Sequence, residues 1–293
     1  MLDFETLEIL GLIFAILMGM GFGSYTTMPY YRLPNNIKSS GKFEGGFRSA
    51  CPSCGVQLKT RQMIPLFNWL ITRGKCLNCD FRIPKTYLFL EVSGVVLSVI
   101  CYLKYGIDQM YIIMLALALC LSTLTATDYK YKTIPMPILY VILALGLLYR
   151  PIIDGGEIYD MVNTFVLACL FGLGYAKNIE KRNLKLENLG NEPLFPVTEV
   201  ETEEEIKQKE QELQERISFK RWDAVKLFSL CGIWLPHLQL LFFLLLVCVF
   251  WLLLLIPKKI LKFNVPSSLN ISLSLFTTLL ADDLPKYIIE QLL

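Results

Sequence analysis

Histidine is almost absent from this chain of 293 residues, which has only His237. This scarcity excludes a His-rich metal site. His237 lies in a turn predicted to face outside, so no histidine is expected to act as a general base on the cytoplasmic side. A recognisable nucleotide-binding fingerprint is lacking. The chain starts with the acidic stretch MLDFE, so we expect no cleavable signal peptide, since such peptides open with a basic region.

Apolar residues are abundant and occur in long blocks. They make up 54% of the chain, and the mean hydropathy is +0.48, whereas a soluble domain is rarely more than about half apolar. The blocks predict an all-α polytopic membrane protein with about eight transmembrane helices. The predicted spans are Leu7–Met28, Tyr87–Leu103, Met110–Thr127, Pro137–Tyr149, Met161–Ala176, Ala224–Leu235, Leu238–Ile256 and Val265–Ala281.

The polar segments divide the chain and set its orientation. The loop 29–85 carries ten Lys and Arg residues against Glu44 and Asp80, which places it in the cytoplasm and the N-terminus outside. Its charge is explained by topology, so we expect no nucleic-acid partner. We divide the chain into the segments 1–28, 29–85, 86–176, 177–222 and 223–293. Within 177–222, Glu199–Glu215 predicts a solvated or amphipathic cytoplasmic helix, most simply a connector.

Four cysteines form two C-x-x-C motifs in the cytoplasmic loop. Cys51 and Cys54 make the first and Cys76 and Cys79 the second, with 21 residues between them. This spacing is close to that of structural zinc sites. A reducing cytoplasm favours metal over disulfides, so the prediction is a structural zinc site with four cysteine ligands. Five further cysteines lie singly in apolar runs and are interpreted as small buried hydrophobes: Cys101, Cys120, Cys169, Cys231 and Cys248.

Carboxylates near the spans are the remaining candidates for chemistry. Glu91 lies inside the second span, Asp128 at the cytoplasmic end of the third and Asp223 at the cytoplasmic start of the sixth. Two carboxylates held close together cannot both ionise easily, so they divide into a general acid and a general base that activate water. An alternative is a transporter that uses Glu91 and Asp128 as a relay, although it would have no use for the cysteines.

These motifs resemble the prepilin leader peptidases, a family of polytopic aspartic proteases. Gly23-Ser24 followed by Tyr31-Arg32-Leu33-Pro34 is similar to the family's segment G-S-F-x-N-V-x-x-x-R-L-P, with the central Asn-Val replaced. CPSC and CLNC match its zinc loop, and Tyr87 with Glu91 matches its Y-x-x-x-E. Further matches within the loop are Ile64-Pro65, Asn68-Trp69-Leu70 and Arg73-Gly74-Lys75-Cys76. The resemblance identifies Asp128, which precedes Ile134-Pro135, as the first catalytic aspartate.

The second catalytic aspartate departs from the family motif G-x-G-D-x-K-L. Aligned without a gap on Val225-Lys226-Leu227 and on the later Gly232-x-Trp234-Leu235, Ala224 stands at the aspartate position. The chain would then be an active-site knockout or a natural pseudoenzyme. In the alternative alignment Asp223 is the second aspartate and Lys226 lies one residue further from it than in the family. Such a slip turns the side chain by about 100° on a helix.

The resemblance also implies substrates and cofactors. Members of this family cut the basic leader from type IV prepilin or pseudopilin precursors at the cytoplasmic face of the bacterial inner membrane, in pilus assembly and type II secretion. Many then methylate the new N-terminus with S-adenosylmethionine. One carboxylate would deprotonate water and the other would protonate the scissile carbonyl. The alternative is a non-catalytic pilin-binding assembly protein that keeps the fold and the zinc.

Overall fold

The computed structural model describes nine ranges of the chain. They are residues 4–34, 51, 53–58, 64–131, 133–152, 155, 157–189, 222–260 and 267–281. Within these ranges the regular secondary structure is helical, apart from isolated bridge residues at Gln57, Lys75 and Arg82. The all-α prediction is therefore confirmed. The predicted helix Glu199–Glu215 lies outside the described residues.

The described helices are numbered in chain order. They are α1 (Phe4–Arg32), α2 (Phe67–Ile71), α3 (Lys85–Tyr105), α4 (Gln109–Tyr131), α5 (Met136–Ile152), α6 (Ile158–Leu189), α7 (residues 222–234), α8 (His237–Ile260) and α9 (Ser267–Leu280). The chain divides into two compact units, Met1–Leu145 and Gly146–Leu293.

Membrane-crossing helices are present in both units. Among the described residues, four helices are long and apolar enough to cross a bilayer: Thr6–Arg32, Lys85–Tyr105, Gln109–Tyr131 and Ile158–Lys177. Three shorter apolar helices are Met136–Pro151, His237–Phe250 and Ser268–Leu280. The protein is therefore a membrane protein with transmembrane helices. Every predicted span overlaps a helix, but the number of eight crossings stays a prediction.

The first unit is held together by close packing of α1 on α3. A Cβ atom at Gly94 would lie 2.6 Å from the Cα of Gly23, so the two backbones touch where both helices carry glycine. The Ser98 hydroxyl donates to the Ala15 carbonyl (2.6 Å) and lies 2.7 Å from the Tyr111 hydroxyl, which ties α3 to α1 and α4. Small residues and interhelical hydrogen bonds are the usual means of packing in lipid, where the hydrophobic effect does not drive helices together.

The second unit is built around α7. From Asp223 to Leu235 all residues are buried except Lys226. The Trp234 indole lies over Gly146 and stacks on Tyr149 with ring centroids 5.3 Å apart. A short helix enclosed in this way keeps its polar groups away from lipid, so its buried residues depend on their neighbours within the protein.

Several boundaries differ from the sequence predictions. α4 continues to Tyr131, so Asp128 lies in its last turn rather than after its end. α6 continues to Leu189, beyond the span predicted to end at Ala176, because helical propensity persists where the sequence becomes charged. His237 is the first residue of α8, not part of the preceding turn. These shifts change element ends and leave the helices themselves in place.

Candidate functional site

The four predicted metal ligands lie together in the first unit. The sulfur atoms of Cys51, Cys54, Cys76 and Cys79 are all within 4.8 Å of one another, and those of Cys51 and Cys79 are 3.8 Å apart. Four thiolates around zinc at about 2.3 Å place their sulfurs about 3.8 Å apart. The cluster could therefore hold a metal ion such as zinc, and among the described residues its donors are all cysteine.

The two C-x-x-C turns share one backbone hydrogen-bond pattern. The Cys51 N–H donates to the Val56 carbonyl (3.0 Å), and the Cys76 N–H donates to the Phe81 carbonyl (2.9 Å). The residue that follows each second cysteine, Gly55 or Asp80, donates back to the first cysteine and has a positive φ, 69° and 53°. Glycine adopts this conformation freely and aspartate tolerates it. The two halves of the site are thus the same local structure used twice.

Hydrogen bonds prepare part of the cluster to be thiolate. The backbone N–H of Val56 and then the Asn78 side chain lower the pKa of Cys54 to about 6. The backbone N–H of Asn78 likewise lowers the pKa of Cys76. The Phe81 N–H acts on Cys79 in the same sense, but desolvation and the three neighbouring sulfurs outweigh it and raise that pKa to about 11. Metal binding requires thiolates, and a cluster that is partly ionised near neutrality favours it.

The segment between the turns packs against the second turn through Trp69. A Cβ atom at Gly74 would come within 2.8 Å of the Trp69 ring, and Gly74 has a φ of 69°. The Gly74 N–H also donates to the Trp69 carbonyl (2.9 Å). Two features therefore favour glycine at position 74. The backbone is left-handed, and the Trp69 indole lies where a side chain would begin.

Glu91 joins this segment to the membrane helices. Its carboxylate accepts a hydrogen bond of 2.7 Å from the backbone N–H of Leu66, which has a φ of 64°. The Ser24 side chain on α1 also hydrogen-bonds to it. One acid in α3 thus holds both α1 and the residue that precedes α2. Glu91 was predicted as a functional acid in a span, and the described contacts give it a positioning role.

Asp128 is buried in the last turn of α4. The helix end around it is aromatic: Tyr30, Leu90 and Ala126 form a buried cluster with Tyr87 and Tyr131 packed against it. The Tyr30 ring lies 5.7 Å from that of Tyr87 and 5.6 Å from that of Tyr131. The turn that carries Asp128 is therefore packed firmly against α1 and α3.

The second predicted carboxylate position lies at the start of α7. Asp223 is 3% exposed, and its carboxylate is 3.3 Å from the Lys226 ammonium. Ala224 is 8% exposed and packs with Ala176 and Val225. Asp128 belongs to the first unit and positions 223 and 224 to the second, so their pairing stays a prediction.

Sequence reasoning missed two features of this region. The partner of Glu91 is a backbone amide 25 residues earlier, and no side-chain pattern announces such a bond. The short helix α2 carries large apolar residues that no described residue covers. The sequence could have indicated it, since residues 63–71 form an apolar run within the basic loop.

Comparison with known proteins finds relatives for the N-terminal part of the chain. The family described as Bacterial Peptidase A24 N-terminal domain matches residues 17–105. A prepilin leader peptidase/N-methyltransferase of Vibrio cholerae is 30% identical over 95 residues, 31% of this chain and 38% of the relative. One from Pseudomonas aeruginosa is 31% identical over 101 residues, 28% of this chain and 35% of the relative. No solved structure matches.

A third relative has a broader name. The type 4 prepilin-like proteins leader peptide-processing enzyme of Escherichia coli is 28% identical over 93 residues, 27% of this chain and 35% of the relative. The matches thus span little more than a third of each relative's length. The family match covers α1 from residue 17 onward, the cysteine cluster and α3, and with them Glu91. Residues 17–105 thus match the bacterial peptidase A24 N-terminal domain family, and over part of its length the chain is similar to prepilin leader peptidases.

Proposed function

We propose that this chain recognises the basic leader of type IV prepilin or pseudopilin precursors at the cytoplasmic face of the bacterial inner membrane. An active form would remove that leader as a membrane-embedded aspartic endopeptidase and then methylate the new N-terminus. The observation that carries the proposal is the cysteine cluster, whose intervening segment is hydrogen-bonded to Glu91 of α3 through Leu66, within the residues that match the bacterial peptidase A24 N-terminal domain. The names of the relatives include N-methyltransferase, and S-adenosylmethionine as the methyl donor is part of this proposal.

The chemistry of leader removal would need two carboxylates. Asp128 is the first, and its burial in a packed helix end supports a role beyond solubility. A carboxylate at position 224 would share the work, with one group taking a proton from water and the other protonating the scissile carbonyl. Ala224 supplies no carboxylate, so we expect this chain to bind precursors without cutting them. Its apolar packing against Ala176 and Val225 supports this interpretation.

Asp223 is the alternative second carboxylate. It is buried on the same helix, one residue from the expected position. Its ion pair with Lys226 gives it a structural role that does not need catalysis. A natural pseudoenzyme or a pilin-binding assembly protein would keep the same fold and cysteine site.

We expect the chain to bind a prepilin precursor about tenfold more tightly than the mature pilin, because leader recognition does not need the second carboxylate. The measurement is the affinity of the detergent-solubilised chain for fluorescent precursor, precursor with its leader lysines and arginines changed to glutamine, and mature pilin. The neutralised leader is the matched control. Equal affinity for all three, or no binding, would refute leader recognition.

Zinc is the metal we propose for the cysteine cluster. Four thiolates on two equivalent turns suit its tetrahedral preference, and a site closed by four protein ligands is structural rather than catalytic. Cys51, Cys54, Cys76 and Cys79 would hold the ion. The metal would fix the segment between the turns, including Trp69 and Gly74.

Gly74→Ala should weaken metal retention more than Gly55→Ala does. Both glycines have a φ of 69°, but a Cβ at Gly55 meets open space whereas one at Gly74 meets the Trp69 ring. The backbone cost is about 1 kcal/mol in each, and overpacking adds about 1–3 kcal/mol at Gly74 alone. The rate of zinc release to a chromogenic chelator measures the difference. Equal release from the two variants would mean that the Trp69 contact does not stabilise the site.

A further inference from the structure

The short helix α2 presents an apolar face that the described part of its loop leaves uncovered. Phe67, Leu70 and Ile71 occupy positions i, i+3 and i+4 and are 56%, 59% and 79% exposed. Leu77, in the second cysteine turn, is 71% exposed. None of the five residues of α2 is buried. Large exposed apolar groups outside a membrane span indicate a surface that contacts something else.

The position of α2 relative to α3 indicates what that contact is. Glu91 lies six residues after the start of α3, a rise of about 9 Å. Side chains on a helix lean toward its N-terminus, so the Glu91 carboxylate that holds Leu66 is about level with Phe89. Phe89 is 62% exposed on a membrane-crossing helix, which makes it lipid-facing. α2 therefore begins at a depth where α3 already meets lipid.

The charges near α2 complement a lipid surface. Four exposed cations follow it: Arg73, Lys75, Arg82 and Lys85. The bridge between Lys75 and Arg82 sets two of them side by side. Asp80 is the only acidic residue between 64 and 85. Anionic headgroups attract such a cluster, and large apolar side chains beside it suit the boundary between headgroups and acyl chains.

We infer that α2 is an interfacial helix that inserts Phe67, Leu70 and Ile71 into the bilayer surface while the neighbouring cations contact anionic headgroups. The segment between the two cysteine turns is then held against the membrane in two ways. Leu66 is hydrogen-bonded to Glu91, and α2 is inserted in lipid. This contact is distinct from leader recognition and does not depend on it.

Photo-crosslinking in full-length protein tests the inference. Ile71→p-benzoyl-L-phenylalanine is reconstituted in phosphatidylcholine vesicles with and without phosphatidylglycerol, and crosslinked products are identified by mass spectrometry. Ser53→p-benzoyl-L-phenylalanine, at an exposed position in the first cysteine turn, is the matched control. Ile112→p-benzoyl-L-phenylalanine reports the lipid-facing side of α4. We expect lipid adducts at position 71 to be about tenfold more frequent than at position 53. Burial of one large apolar side chain in lipid, here the one at position 71, favours insertion by a factor of at least this size.

The charge contribution is measured in the same vesicles. Arg73→Gln and Lys75→Gln should each lower lipid crosslinking at position 71 by about fivefold with phosphatidylglycerol and leave it unchanged without it. Unchanged metal content and unchanged crosslinking at 112 show that a variant is folded. Adducts at 71 no more frequent than at 53 would overturn the inference. Capture of an added prepilin precursor in place of lipid would also overturn it, because α2 would then be a protein-docking surface.

Discussion

Ala224→Asp is expected to cleave a prepilin precursor about a hundredfold to ten-thousandfold faster than the chain with Ala224. A positioned general acid or base contributes a factor of this size to the rate. With alanine at position 224, the chain lacks one of the two carboxylates that the reaction needs. The measurement is loss of the leader, followed by mass, with purified protein and precursor in detergent. The prediction rests on the proposed function and on the ungapped alignment of residues 224–227.

Three variants separate chemistry from other effects. Ala224→Asn introduces a polar side chain of the same size as aspartate but without a carboxylate, so this variant should stay inactive. Asp128→Asn in the Ala224→Asp background should return cleavage to the background level, because the two carboxylates act as a unit. If the unsubstituted chain already cuts and Asp223→Asn stops it, then Asp223 is the partner of Asp128 and the ungapped alignment is wrong.

The new carboxylate also has a cost. Ala224 is buried against Ala176 and Val225, and burying a polar group without a full set of partners costs about 1–3 kcal/mol. We therefore expect a lower thermal midpoint for both Ala224→Asp and Ala224→Asn. Activity should be expressed per folded molecule, so that this loss does not conceal a gain in rate.

Cys76→Ser is expected to weaken zinc binding by about a hundredfold to a thousandfold. Structural zinc sites bind with about 10–16 kcal/mol in total, so one of four ligands contributes about 2.5–4 kcal/mol. Competition with a chelator of known affinity measures this loss. Because the Cys76 turn also supports Gly74 and Trp69, we expect faster proteolysis between the two turns as well.

Cys248→Ser is the matched control for this substitution. Cys248 lies on α8 in the other unit and is exposed, so the interpretation of this cysteine as buried was wrong. Its loss should leave zinc affinity unchanged. Cys54→Ser should behave like Cys76→Ser, because the two turns have the same geometry. If both Cys54→Ser and Cys76→Ser retained a full complement of zinc, the cluster would not be a four-cysteine metal site.

Much of this fold follows from features that are local in the sequence. Long apolar runs specify helices wherever they occur, so each predicted span overlaps a helix. The C-x-x-C spacing alone brings two sulfurs to one side of an ion, and the clustering of all four cysteines was predicted correctly. The helix ends were less predictable, since α4 and α6 continue into polar residues without a glycine or proline to stop them.

The contacts that position the site depend on distant backbone geometry. Leu66 offers its N–H to Glu91 only because it adopts a φ of 64°, which is uncommon for leucine and invisible in a hydropathy pattern. The five residues of α2 are too few for helical periodicity to be recognised. The pairing of Asp128 with position 223 or 224 depends on two separate units and stays a prediction from family resemblance.

The two cysteine turns flank a loop of 21 residues, and an ion that binds both turns closes that loop. Closing a loop of this length removes configurational entropy from the unfolded chain, worth about 3 kcal/mol if the ion acts as a disulfide of similar span would. Unlike a disulfide, such a cross-link survives thiol reductants and is lost to chelators. The stability of the segment that carries Trp69 and α2 should therefore track metal supply rather than redox state.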